Sequence, residues 1–274
     1  MQSDYFSGPP AGPAAPVLVA RPAPRARPRV LLPVLVALAV VAAVAFVAAS
    51  RVEALPALRQ VVEPAPASAG WGPAWVDDRG RPARWDPCVP VRYVVNPAWM
   101  PQRGREDLAE ALRRISAVSG LRFVDDGDTD EVPRRDRPSY QPERYGERWA
   151  PLLVAWVPPS ATDLGLGGGV QGLAATVAVP TAEGGALVTA QVVLDADRRL
   201  ASGFGPGATE GEVLLHELAH AVGLGHVDDP TQVMYYRTTN SESEFGAGDR
   251  AGLQALGAAA GCRPAPEARA LPGG

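Results

Sequence analysis

The chain has 274 residues, 46% of them hydrophobic, with 26 basic and 30 acidic side chains and a formal net charge of −4. That length and apolar content suffice for one or two packed domains. Residues 1–50 hold four arginines against one aspartate, so the rest of the chain is more acidic than the total, which argues against a nucleic-acid platform.

Residues 1–29 are rich in Pro, Ala and Gly and end in a cluster of Arg21, Arg25, Arg27 and Arg29. Such a segment has little to bury, so we read it as a disordered tail. The uncharged run 30–49 follows; as a helix it spans about 30 Å, the thickness of a bilayer core. Arginines on its N-terminal side put that side in the cytoplasm and everything after residue 50 outside the cell. The run therefore predicts a single-pass signal anchor; the other reading is a secretory signal cut near Ala49. In an oxidising compartment the only two cysteines, Cys88 and Cys262, favour a disulfide. Residues 50–70, again Ala/Pro-rich, read as a stalk. The folded domain is expected over 71–263, with a flexible tail over 264–274.

Within that domain Asp77–Gly80 is a turn signal and Val91–Val95 alternates as a strand, ended by Asn96–Pro97. Leu108, Ala111, Leu112, Ile115 and Val118 have helical spacing, and Gly120 stops the helix. Leu121–Val124 is the next strand. Asp125–Asp130 lacks the EF-hand order of ligands and reads as a solvated acidic turn. Residues 131–150 read as a long surface loop, and Leu152–Val157 as a strand buried on both faces. Gly165–Gly169 has no phosphate-loop context and gives a flexible entry to a strand over Val170–Val179; Gln191–Leu194 is another strand. Thr209 and Glu212 form a capping box that opens a helix running to Gly223, and Asp249–Ala260 is the last helix.

All three histidines lie in His216–Glu217–Leu218–Ala219–His220–Ala221–Val222–Gly223–Leu224–Gly225–His226. His216 and His220, four apart, share a helix face and can hold one zinc ion. Glu217 can serve a metal-activated water as general base. Gly223 lets the helix stop and the chain turn back to deliver His226 as third ligand, leaving one coordination position open for catalysis.

This stretch, followed by Met234 in Val-Met-Tyr and by Asp249–Leu256 as a closing helix, resembles the metzincin clan of zinc endopeptidases, and within it the matrixins. The resemblance implies an α+β fold: a twisted mixed five-stranded sheet with one antiparallel edge strand, packed on two long helices plus a C-terminal helix. Val170–Val179 would be the antiparallel, cleft-lining strand, extended by a substrate peptide through strand addition. Met234 would form the apolar floor under the zinc. Tyr236 stands where matrixins usually have Pro, and in that position resembles the tyrosine of astacins and serralysins that binds metal or stabilises the transition state. No cysteine-switch motif is present; a Cys88–Cys262 bridge is favoured over a Cys88 thiolate on the zinc. No histidine is left for a second, structural zinc, while structural calcium on aspartates stays open. The function expected is a membrane-anchored, extracytoplasmic zinc endopeptidase acting on peptide or protein substrates. The alternative is a catalytically silent binding or sensory ectodomain; the oligomeric state is not legible.

Overall fold

Six consecutive apolar residues can be a strand only if both faces are covered. In the computed structural model Leu152–Val157 is strand β5, and all six side chains are buried. The structure describes residues 58–61, 70–205, 207–237 and 244–271; the proposed anchor over 30–49 and the tail before it lie outside these. Among the described residues no helix is long and apolar enough to cross a membrane.

One sheet holds the described strands in the order β1–β6–β7–β5–β3–β4: β1 Leu58–Val61, β3 Val91–Asn96, β4 Phe123–Asp128, β6 Gly172–Thr181 and β7 Gly184–Asp195. A two-residue strand β2, Ala83–Arg84, adds to β7. β7, β5, β3 and β4 run parallel, and β6 runs antiparallel to β7. The sheet thus has seven strands where five were expected. The antiparallel strand is also not the edge, because β1 pairs with its outer side. Both extra strands are too short to leave a periodic signal, and β1 falls within the stretch read as a stalk.

Helices α1 (Gly104–Ser119), α3 (Glu210–Val222) and α4 (Ala247–Leu256) contribute to one core with the sheet; α2 is a single turn, Pro142–Tyr145. α1 buries Leu108, Ala111, Leu112 and Ile115 and ends at Gly120, whose φ of 70° is the left-handed conformation that glycine accepts at little cost. Alternate residues of β5 divide between two clusters. Leu152, Val154 and Trp156 join the helix-side core, while Ala155 and Val157 meet Leu164 and Leu166 on the other face.

The ends of the domain are stitched together. Cys88 is bonded to Cys262. Arg84 donates to the carbonyls of Gly261 and Ala260, and buried Arg263 donates to those of Pro82, Gly185 and Glu183. Trp149 Nε1 reaches on to Pro266 O at 2.9 Å, so the docked chain extends beyond the expected boundary at 263.

Two further differences have one cause, arginine pairing. Asp125–Asp128 lies within β4 and is not a free turn; Arg92 pairs with Asp126 and Arg105 with Asp128. The segment 131–150 is not a loose loop. Arg137 and Glu131 form a buried pair at 2.9 Å, and Tyr145 and Gln141 also donate to that carboxylate. Arg137 adds bonds to Thr189 and to the carbonyls of Ala190 and Pro151, which tie the segment to the sheet.

Burial pushes the Glu131 carboxyl up, but Arg137, Tyr145 and Gln141 outweigh it and hold it below the ordinary value. A depressed folded value gives stability that is complete above the unfolded value, about 4.3, and is lost as pH falls through the folded one. Removing one partner of a buried pair costs about 3–5 kcal/mol. Glu131→Gln should therefore lower stability by about that much at pH 7 and should lose less than the wild type on acidification. Thermal unfolding across pH 3–7 checks this; equal acid sensitivity in both proteins would sink it.

Candidate metal centre

The site is built on α3, and both ends of that helix are defined by sequence. Thr209 accepts a hydrogen bond from the Glu212 N–H at 3.2 Å, and Glu212 receives the Thr209 N–H in return. At the other end Gly223 has φ 114°. The Gly223 N–H goes to His220 O and the Leu224 N–H to Ala219 O, the paired bonds of a Schellman cap. A Cβ at Gly223 would stand 3.1 Å from Ala83 O, so both the backbone angle and the space require glycine.

The reversal at Gly223 brings His226 against the helix. His226 Nε2 lies 3.1 Å from His216 Nε2 and 3.0 Å from His220 Nε2. The other ring nitrogens are anchored. His216 Nδ1 is 2.6 Å from Val233 O, and His220 Nδ1 is 2.7 Å from Leu224 O. A carbonyl only accepts, so each Nδ1 carries the hydrogen and each Nε2 of the neutral ring is a bare lone pair. Burial holds all three imidazoles below their ordinary range, His216 at about 4, which keeps them neutral. A single His226 proton cannot satisfy both neighbours. Converging lone pairs are what a soft or borderline cation needs, and nitrogens bound tetrahedrally to zinc at about 2.0–2.1 Å stand about 3.3 Å apart. The residues fit zinc.

Glu217 is buried and among the described residues has no cationic partner, and burial pushes its carboxyl up to about 8. Its room depends on Gly172 at the start of β6, where a Cβ would lie 2.9 Å from both Glu217 Cγ and Val213 Cγ1. The sequence held a usable signal for Gly172, since a glycine inside an apolar strand marks a close approach.

Met234 is buried in the turn that follows His226, and its carbonyl accepts from the Val227 N–H at 2.9 Å. Buried Asp249, at the start of α4, holds this turn: its carboxylate accepts from Val233 N at 2.8 Å, Met234 N at 3.3 Å and Gly246 N at 3.0 Å. Gln232 completes the joint, accepting from Asp249 N at 2.6 Å and donating to Gly70 O at 2.8 Å. Since Val233 O anchors His216, this network reaches the histidines through one residue. Neither Asp249 nor Gln232 was singled out as a site residue; only the position of Asp249 in the first turn of a helix hinted at a capping role.

Other candidates lie apart. Tyr236 is half-exposed, its ring tilted against that of Tyr235 with the Arg237 guanidinium over it, and among the described residues it makes no bond to the histidines or Glu217. Cys88, in its disulfide, has no thiolate to offer a metal. The aspartates of 125–130 are matched to arginines and do not converge as calcium ligands would. An apolar cavity of about 300 Å³ lies between Trp85, Val91, Trp149, Leu152 and Leu187, at the start of β7. Neither the histidines nor Glu217 line it.

No curated protein matches the chain. Residues 160–257 match the matrixin family of M10 peptidases, a span that takes in β6, β7, α3, all three histidines, Met234 and α4 to its end. By that match this segment is matrixin-like, of the metzincin peptidase kind.

Proposed function

We propose that the protein is a zinc-dependent endopeptidase, held on the outer face of a membrane by residues 30–49, with the domain after Gly70 as its catalytic part. The observation that carries the reading is the approach of His226 Nε2 to within 3.1 Å of His216 Nε2 and 3.0 Å of His220 Nε2, the last two rings aimed by backbone carbonyls. Zinc bound there supplies Lewis acidity, polarising a scissile carbonyl and bringing the pKa of an attacking water to about 7. His216, His220 and His226 would hold the ion through their Nε2 atoms. Glu217, one residue from His216, takes the proton of the attacking water and passes it to the leaving amine. The products are a carboxylate and an amine, with one water consumed. Gly172 keeps the space beside Glu217 clear, and buried Met234 is the apolar residue of the turn whose Val233 carbonyl anchors His216.

The silent-ectodomain alternative gives Glu217 no task. Among the described residues no donor meets this carboxylate, and burying an acid without one costs stability. We assign no step to Tyr236.

Two outcomes test this. The purified protein should carry one zinc per chain, and zinc at 100 times its Kd should stabilise the metal-free form by about 2.7 kcal/mol. His220→Ala should abolish both effects, as read by elemental analysis and thermal unfolding. Glu217→Gln should keep the zinc and lose about 10²–10⁴-fold in kcat on an unfolded protein substrate. Wild-type turnover in that variant would remove Glu217 from the mechanism.

A further inference from the structure

β6 begins beside the catalytic centre. Gly172 packs against Glu217 and Val213, and from there the strand runs to Thr181. One edge of β6 is fully paired with β7. The other is the edge to which an extended peptide could add, since a strand edge offers a row of free N–H and C=O groups. In this chain that edge already has an occupant. Leu58–Val61 pairs with it antiparallel, Leu58 opposite Ala178, Arg59 opposite Val177, Gln60 opposite Thr176 and Val61 opposite Ala175. The direction matters. Val61, the C-terminal residue of β1, lies nearest the Glu217 end of β6, opposite a residue only three positions from Gly172. At about 3.3 Å per residue the occupied stretch starts about 10 Å from Gly172.

We propose that Leu58–Val61 is a built-in competitor for the peptide-binding edge of β6, so that substrate and β1 exclude one another. This rests on the peptidase reading above. A strand edge forms one ladder at a time, so a peptide reaching Glu217 along β6 must displace β1. The competitor is covalently attached, with residues 62–69 separating it from Gly70, where the Gln232 bond ties the domain. A short tether of this kind gives an effective concentration of about millimolar. Four residues of pairing are weak on their own, so the block is one that a well-bound protein substrate or the loss of the segment relieves.

The test uses the full chain in detergent, loaded with zinc. In an antiparallel pair adjacent residues alternate between donating to the partner strand and facing away. Arg59→Pro/Gln60→Pro therefore removes a donor to β6 whichever of the two makes the bond. A second variant replaces Leu58–Val61 with Gly-Ser-Gly-Ser, lowering strand propensity without proline. Zinc content and circular dichroism identify any misfolded variant. Both variants should raise kcat/KM on unfolded casein about tenfold or more, mainly through a lower KM, and amide exchange at Ala175–Ala178 should speed up. A synthetic peptide of residues 56–64 should inhibit the variants competitively. If wild type and variants cleave equally, and Glu217→Gln abolishes cleavage in all, the peptidase stands and the competitor proposal is overturned. If none cleaves above its Glu217→Gln counterpart while exchange at β6 still rises, the peptidase reading fails, and the proposal falls with it for a different reason.

Discussion

Imidazole lone pairs that converge, with His226 Nε2 about 3 Å from each of the other two, repel unless a cation lies between them, and most of the surrounding structure serves to hold them there. The carbonyls of Val233 and Leu224 fix the hydrogen on Nδ1 of His216 and His220 and so leave Nε2 bare. Leu224 is itself fixed by the helix cap that begins at Gly223, so one backbone reversal both delivers His226 and orients His220. A side chain at Gly223 would disturb both at once. The N-terminal half of the site has a different support. Val233 is held by Asp249, Asp249 by Gln232, and Gln232 by the carbonyl of Gly70 at the very start of the domain. The geometry of His216 therefore depends on α4 docking against a segment more than 150 residues earlier in the chain.

That dependence explains why the ends of the domain are so heavily joined. The disulfide, the two arginines that bridge residues 82–85 and 183–185 to 260–263, and Trp149 on Pro266 close the far end of the sheet. Because the Cys88–Cys262 loop is long, the bond restricts the unfolded chain strongly in the chain-entropy view. The arginine bonds act in the folded state and do not need the sulfurs.

What could be read from the sequence follows the range of the forces involved. α3, its Thr209 cap, its Gly223 stop and the three histidines are local features, written within one stretch of about 18 residues, and the structure brings those histidines together. α1 and β5 have strong periodicity or continuous apolarity and appear within a residue or two of their expected limits. β7 was legible only at Gln191–Leu194, because its first half, Gly184–Ala190, sets only Leu187 and Val188 among glycine, alanine and threonine and becomes a buried strand only through its neighbours. β1 lies in an Ala/Pro-rich stretch and exists as a strand because β6 offers an edge. Asp125–Asp128 is solvated as its charge implies, but Arg92 and Arg105, distant in sequence, hold it as a strand, and the segment 131–150 is ordered by Arg137 reaching the sheet; neither pairing shows in a local window. Gly172 and Asp249 act across the fold, on Glu217 and on the Met234 turn, and no local window shows that.

Two buried glutamates separate structural chemistry from reactive chemistry. Glu131 meets Arg137, Tyr145 and Gln141, and its carboxylate is held ionised where it lies. Such a group costs little while its partners remain, and it fixes the path of a segment that has few apolar residues of its own. Glu217 is as buried, yet burial alone shifts its carboxyl and among the described residues no donor meets it. A fold built for stability alone would fill that place with an apolar side chain. The glycine at 172 makes the same point from the opposite strand, since a larger residue there would close the space around the carboxylate. An unpaired acid, a cleared space beside it and three bare nitrogens on the adjoining turns are separately unfavourable for folding. They make sense together under the zinc-peptidase reading proposed above, in which the carboxylate exchanges a proton.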